Sequence, residues 1–231
     1  MKVYTTSRGA FWGGMQAFLP IIPGAIPFGL MYGVAAAEVG IDPILGTAMS
    51  IFLLAGAAQL VTVALLKVDA AAWVIILSAT IVNIRFVIYS ASLSSHFKQF
   101  STTWKVLLGY FVTDQPYVLS IAYFNEYPDS PFKNWYHFGH GAALWLVWVS
   151  TSAVGLVVGA IIPANWQLGF AIPLMFIGLL VPMIKSARLL FAGTVAAIVA
   201  LLAAGLPHNL GLLVAVALGI IAAMLYRGEE E

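Results

Sequence analysis

Apolar residues fill this chain in blocks of about 20, which is the length an α-helix needs to cross the hydrocarbon core of a bilayer. Short polar connections separate the blocks, so the pattern predicts spans over residues 9–37, 43–66, 70–93, 104–125, 137–162, 166–184, 187–205 and 209–226. Two stretches make the case strongest. No Asp, Glu, Lys or Arg occurs from Asn134 to Ile184 or from Leu189 to Tyr226, and each stretch holds about two spans. The expected fold is all-α, a polytopic membrane bundle of about eight (seven to eight) helices forming one transmembrane domain over residues 1–231.

Composition narrows the function. With 62% hydrophobic and 8% charged residues, the chain lacks the polar surface of a soluble domain. Its short loops leave no room for a nucleotide-binding domain, and neither a P-loop nor a dinucleotide fingerprint is present. A net charge of +1 gives no basic patch for nucleic acid. No cysteine is present, so disulfides and thiolate metal sites are excluded. No cofactor is expected, and no motif of an intramembrane enzyme is seen. Lys2 and Arg8 precede an apolar stretch as in a signal peptide, but Pro20, Pro23 and Pro27 interrupt it and no small-residue cleavage site closes it. That stretch reads as the first span.

With eight spans and the N-terminus inside, Lys2, Arg8, Lys67, Lys133, Lys185, Arg188 and Arg227 fall on the inner side. Lys98 and Lys105 fall outside. The excess favours both termini in the cytoplasm. The two outer lysines run against it; one re-entrant early segment would move them in but would move Lys185 and Arg188 out, so eight spans is the expectation.

Four stretches carry polar chemistry at membrane depth. The first, Pro20 to Gly29, holds three prolines and two glycines and is expected to break the first helix. Broken helices in transporters aim half-helix N-termini at anionic groups of a substrate, and a second half-helix is expected to start near Pro27. Pro23, Gly24, Pro27, Phe28 and Gly29 are therefore candidate binding residues, against the plainer alternative of a proline kink. The second is Leu54 to Leu60, where small residues invite close packing and Gln59 brings an amide. That amide serves either substrate contact or helix–helix bonding. In the third, Asn83 and Arg85 precede Tyr89 and Ser90. An arginine inside a span needs a carboxylate, carbonyls or water, and it serves as a carboxylate clamp or as a structural counter-ion. In the fourth, Tyr110, Asp114 and Tyr117 share one helix face, and Asp114 is the candidate proton carrier or the partner of Arg85. His137 and His140 lie one turn apart without a third ligand, so no metal site is expected.

Together Pro23-Gly24, Pro27-Phe28-Gly29, Ala55 to Gln59, Asn83-Ile84-Arg85 with Tyr89, and Thr113-Asp114 resemble the AzlC-type branched-chain amino-acid permeases, the large subunit of a two-component exporter. Phe86 and Gln115 stand where that pattern leads one to expect a histidine and an acidic residue. The resemblance implies export of valine, leucine and isoleucine, with methionine as a further candidate, across a bacterial inner membrane. It also implies proton coupling and a small AzlD-type membrane subunit as partner. Two alternatives remain open at this point. One is a channel or carrier for another small solute; the other is a non-transporting membrane scaffold or sensor subunit.

Overall fold

A computed structural model describes residues 3–161, 184, 186–206 and 210–226. The sixth expected span and its Pro173 and Pro182 therefore lie outside the described residues. Among the described residues every regular element is a helix, as expected. Helix α1 (Ser7–Phe18) passes through a 3₁₀ turn (Leu19–Ile21) into α2 (Ile22–Glu38). Then come α3 (Pro43–Leu53), α4 (Gly56–Lys67), α5 (Ala72–Phe97), α6 (Thr102–Tyr110) and α7 (Asp114–Glu126). Helices α8 (Lys133–Ile161), α9 (Ala187–Leu202) and α10 (Leu210–Leu225) complete the set. Three helical stretches, Ser7–Glu38, Ala72–Phe97 and Lys133–Ile161, are each long and apolar enough to cross a membrane.

The first helix is interrupted only by the 3₁₀ turn at Leu19–Ile21, and α2 runs straight through Pro27. The expectation of a second half-helix starting near Pro27 is thus corrected. Pro20 and Pro23 stand at first-turn positions, where a missing amide costs nothing.

Glycine sets the backbone of the bundle. Gly14 faces the backbone of Tyr136 and His140, and Gly139 faces that of Phe11. Further along, Gly33 meets Ser152 and Leu156, Gly155 meets Leu30, and Gly159 meets Val34. Low numbers pair with low and high with high, so α8 lies parallel to α1 and α2. A Cβ at Gly33 or Gly155 would strike the opposite main chain, and small residues are what allow membrane helices this approach.

Two of the expected spans fold back on themselves. Lys67, ending α4, pairs with Glu38, ending α2, at 2.8 Å. A straight helix over residues 43–67 would hold them roughly 35 Å apart. Instead α3 enters beside the C-terminal part of α8, where Gly46 touches Leu156, and reaches Trp148, which rests on Gly56. There Leu54 turns left-handed (φ 26°), and α4 returns to the end it came from. Helices α6 and α7 do the same from the other end. Trp104 of α6 meets Trp135 with ring centres 5.0 Å apart, and Phe111 reaches Gly141. Helix α7 then descends, with Tyr123 stacked on Tyr136 at 4.1 Å. Residues 43–66 and 104–125 are thus helical where expected, but each forms a hairpin rather than one crossing.

This geometry regroups the charges. Arg8, Lys98, Lys105 and Lys133 collect at the end where α1 and α8 begin, while the opposite end has Lys67 beside Glu38, Asp42 and Asp69. The two lysines that ran against the charge rule now agree with it.

Because the chain lacks cysteine, single cysteines placed at Ser7, Ser101 and Asp69 report the topology directly. Impermeant thiol reagents should label Ser7→Cys and Ser101→Cys from one side of the membrane and Asp69→Cys from the other. Labelling of Ser101→Cys from the side opposite Ser7→Cys would refute the hairpins. In the packing seam, Gly155→Ala should destabilise the fold by about 1–3 kcal/mol. Gly24→Ala, which meets no atom within 4 Å, should be neutral or stabilising by about 0.5–1 kcal/mol in thermal or denaturant unfolding.

Candidate functional site at the hairpin tips

The two hairpins enter from opposite ends and meet. Leu54 at the first tip and Phe111 at the second pack into one cluster with Trp148 and Tyr32. The Tyr110 hydroxyl, ending α6, donates to the Ile51 carbonyl in the last turn of α3 and accepts a bond of 2.9 Å from Trp145 Nε1. Four half-helix ends converge here: the C-termini of α3 and α6, and the N-termini of α4 and α7. The cap residues of those N-termini, Ala55 and Thr113, make no side-chain capping bond. Their first-turn amides carry partial positive charge and lack intrahelical partners.

Beside the second tip lies the charged pair. Arg85, at the middle of α5, places Nη2 3.1 Å from Asp114 Oδ2. The Tyr89 hydroxyl donates to Asp114 Oδ1 at 3.1 Å, and its ring stacks on Tyr117 at 4.3 Å. Asp114 opens α7, where the helix dipole favours a carboxylate. The pair is not sealed: the side chains are 28% and 42% exposed. Beside it, Arg85 Nε and Thr113 Oγ1 are buried with no hydrogen-bond partner among the described residues, as is Asn83 Oδ1 on another face of α5. Unmade bonds of this kind at membrane depth mark a place where a polar ligand or water would be stabilised.

The other expected residues lie elsewhere. Gln59 is fully buried, and both ends of its amide are engaged: Nε2 donates to Ser50 at 3.0 Å, and Oε1 accepts from Trp148 Nε1 at 2.9 Å. It clips α3 to α4 and the hairpin to α8. Pro23, Gly24, Pro27, Phe28 and Gly29 line α2, with Gly29 pressed on Thr151 and Phe28 against the Trp148 cluster. The structure therefore brings Arg85, Tyr89 and Asp114 together, leaves Pro23, Gly24 and Pro27 exposed on α2, and holds Gln59, Phe28 and Gly29 in the packing around the tips.

Sequence reasoning missed a buried network in the second hairpin. Ser120 Oγ lies 2.7 Å from His137 Nδ1 and 2.9 Å from His140 Nε2, and His137 Nε2 lies 3.1 Å from the Leu108 carbonyl. A carbonyl only accepts, so His137 Nε2 carries the proton. With both rings neutral, Ser120 donates to His137 and accepts from His140. This network ties α6 and α7 to α8. The i, i+3 spacing of the histidines was its one trace in the sequence.

Neutralising one partner strands a charge at membrane depth. Arg85→Gln or Asp114→Asn alone should lower thermal stability in detergent by about 1–3 kcal/mol, discounted for partial exposure. The double variant should recover most of that loss, and a double loss equal to the sum of the two single losses would show that the pair is not coupled.

The model of the family described as AzlC protein matches residues 20–162. The inner membrane protein YgaZ of Escherichia coli (strain K12) is 27% identical over 176 residues, covering 74% of this chain and 71% of that protein. Uncharacterized membrane proteins of Helicobacter pylori strains 26695 and J99 are 27% and 28% identical, covering 96% of this chain and 97% of each relative. No solved structure matches the chain. The matched region runs from the 3₁₀ turn to the end of α8 and so contains both hairpins and the charged pair, and this chain belongs to the AzlC protein family.

Proposed function

We propose that this protein is a secondary transporter that exports branched-chain amino acids (valine, leucine and isoleucine, with methionine as a further candidate) across the cytoplasmic membrane of a bacterium, with its site at the hairpin tips. Family membership and the membrane-protein relatives support a membrane transporter. The observation that carries the reading is the meeting of two opposed hairpins beside the Arg85–Asp114 pair. A scaffold has no use for broken helices, orphaned polar atoms and a half-exposed ion pair at one depth.

An amino acid brings a carboxylate, an ammonium and an apolar side chain. Arg85, whose Nε is unpartnered, receives the carboxylate. Asp114 and the carbonyl ends of α3 and α6 receive the ammonium, and Leu54, Phe111 and Trp148 supply apolar surface. The zwitterion thus replaces an ion pair with two, so neither charge is stranded at membrane depth. Asp114 is also the residue for proton coupling, because a carboxylate alternating between Arg85 and substrate changes its charged surroundings at each step.

Two further parts of the proposal follow from the surface. The excess of Arg8, Lys98, Lys105 and Lys133 at one end supports an N-terminus in the cytoplasm. Helix α5 is only 11% buried over its apolar window, and its exposed residues include Ser90, Ser94 and Ser95. A lipid-facing helix has no need of such a polar face, and it supports a small membrane subunit of the AzlD type seated there.

Vesicles loaded with labelled valine test the reading, with and without the small subunit. Efflux is expected, speeded by external leucine through exchange but not by isovalerate or valine methyl ester, which each lack one charge. Arg85→Gln should slow it at least about tenfold, equivalent to about 1.4 kcal/mol. In Asp114→Asn the dependence on proton gradient should vanish. Absence of valine efflux from every preparation would overturn the reading.

A further inference from the structure

Each hairpin is anchored to α8 on its own account. The first uses the Gln59–Trp148 bond and the packing of Gly46 on Leu156. The second uses the Ser120–His137–His140 network and the Tyr123–Tyr136 stack. A separate bond joins one hairpin to the other: Tyr110 Oη–H to the Ile51 carbonyl.

The acceptor is a product of the break. Ile51 lies in the last turn of α3, and Leu54 turns left-handed, so the Ile51 carbonyl is among those that helix termination leaves without an amide. The donor is aimed. Trp145 Nε1 has only a proton to give and donates it to the Tyr110 oxygen at 2.9 Å, which turns the Tyr110 proton toward Ile51. The bond is also reachable. Tyr110 is 37% exposed, while its neighbours Phe111 and Val112 are 6% and 4% exposed.

We propose that the Tyr110 hydroxyl is a latch between the hairpins, a positioning residue that holds the tips together when the site is empty and lets go when a carboxylate arrives. This rests on the transport reading for the identity of the ligand, but not for the latch itself. A carboxylate accepts a hydrogen bond about twice as strong as a carbonyl does, so a zwitterion at the tips competes for the Tyr110 proton. Release of Ile51 then uncouples two hairpins that enter from opposite ends, each still held by its own anchors. The substrate thereby opens the barrier it must pass.

Val112→Cys supplies the reporter, since Val112 is buried at the second tip and the chain has no other cysteine. The rate of its modification by a small methanethiosulfonate is measured in vesicles. Adding Tyr110→Phe, which removes one oxygen and keeps the ring, should raise the rate at least about tenfold. Valine should raise the rate with Tyr110 present and add nothing with Tyr110→Phe. Trp145→Phe, which keeps the Tyr110 hydroxyl but removes the bond that aims it, should raise the rate less than Tyr110→Phe does. An unchanged rate in Tyr110→Phe, or equal opening in Trp145→Phe, overturns the latch. Faster labelling in Tyr110→Phe together with no valine efflux from any preparation retains the latch and removes the transport reading.

Discussion

Backbone amides and carbonyls cannot be left bare in hydrocarbon, and this constraint governs the molecule. Two hairpins stop and turn at the depth of Trp148 and Phe111, so their tips expose main-chain groups where lipid offers nothing. They survive because other protein surrounds them. The close parallel packing of α1 and α2 on α8, possible only through Gly14, Gly33, Gly139 and Gly155, makes a wall thick enough to shield both tips on one side. Against that wall each hairpin is fixed by polar bonds that are themselves buried: Gln59 with Trp148 and Ser50, and Ser120 with His137 and His140.

The electrostatics follow from the same breaks. Cutting one 25-residue stretch into α6 and α7 creates a helix N-terminus in mid-bundle, and Asp114 occupies it. A carboxylate is stabilised at such an end by the helix dipole, by Arg85 and by Tyr89 together. Both of its oxygens are engaged by side chains, Oδ2 by Arg85 and Oδ1 by Tyr89. An arginine at the middle of α5 is tolerable for the reciprocal reason.

How much of this was legible in the sequence depended on what each signal measures. Hydropathy counts apolar length, so it located every described helix. It does not record direction, and two half-helices of 11 and 12 residues, α3 and α4, sum to the length of one span. The true topology was present only as a discord, in Lys98 and Lys105 on the wrong side. Prolines drew attention to Pro20–Gly29, yet prolines in a first turn cost little, and α2 absorbs Pro27. The real breaks occur at Leu54 and at Phe111 to Thr113, where no proline stands. Arg85, Tyr89 and Asp114 were legible because charge inside an apolar run has few explanations. The Arg85–Asp114 pair was one of the expected alternatives, because a charge at membrane depth needs a partner. The bond from Tyr89 to Asp114 was not, since a contact between distant segments leaves no spacing to read. Gln59 was noticed for its chemistry, but only the fold shows that Trp148, 89 residues away, completes its amide.

The opposed hairpins also bear on how such a fold works. A barrier made of one continuous helix can only tilt, whereas a barrier made of two tips can part at either side while the other stays anchored. Hairpin one is held at the end bearing Glu38 and Lys67, hairpin two at the end bearing Lys133. Motion of one tip therefore need not disturb the anchors of the other, provided the bond between them is weak and singly made. A hydroxyl donating to an orphaned carbonyl contributes about 0.5–1.5 kcal/mol, enough to favour the closed state and small enough for one charged ligand to reverse. The Arg85–Asp114 pair adds the reason the ligand must carry both charges. A ligand without the carboxylate would leave Arg85 unpaired beside the tips, and one without the ammonium would leave Asp114 so.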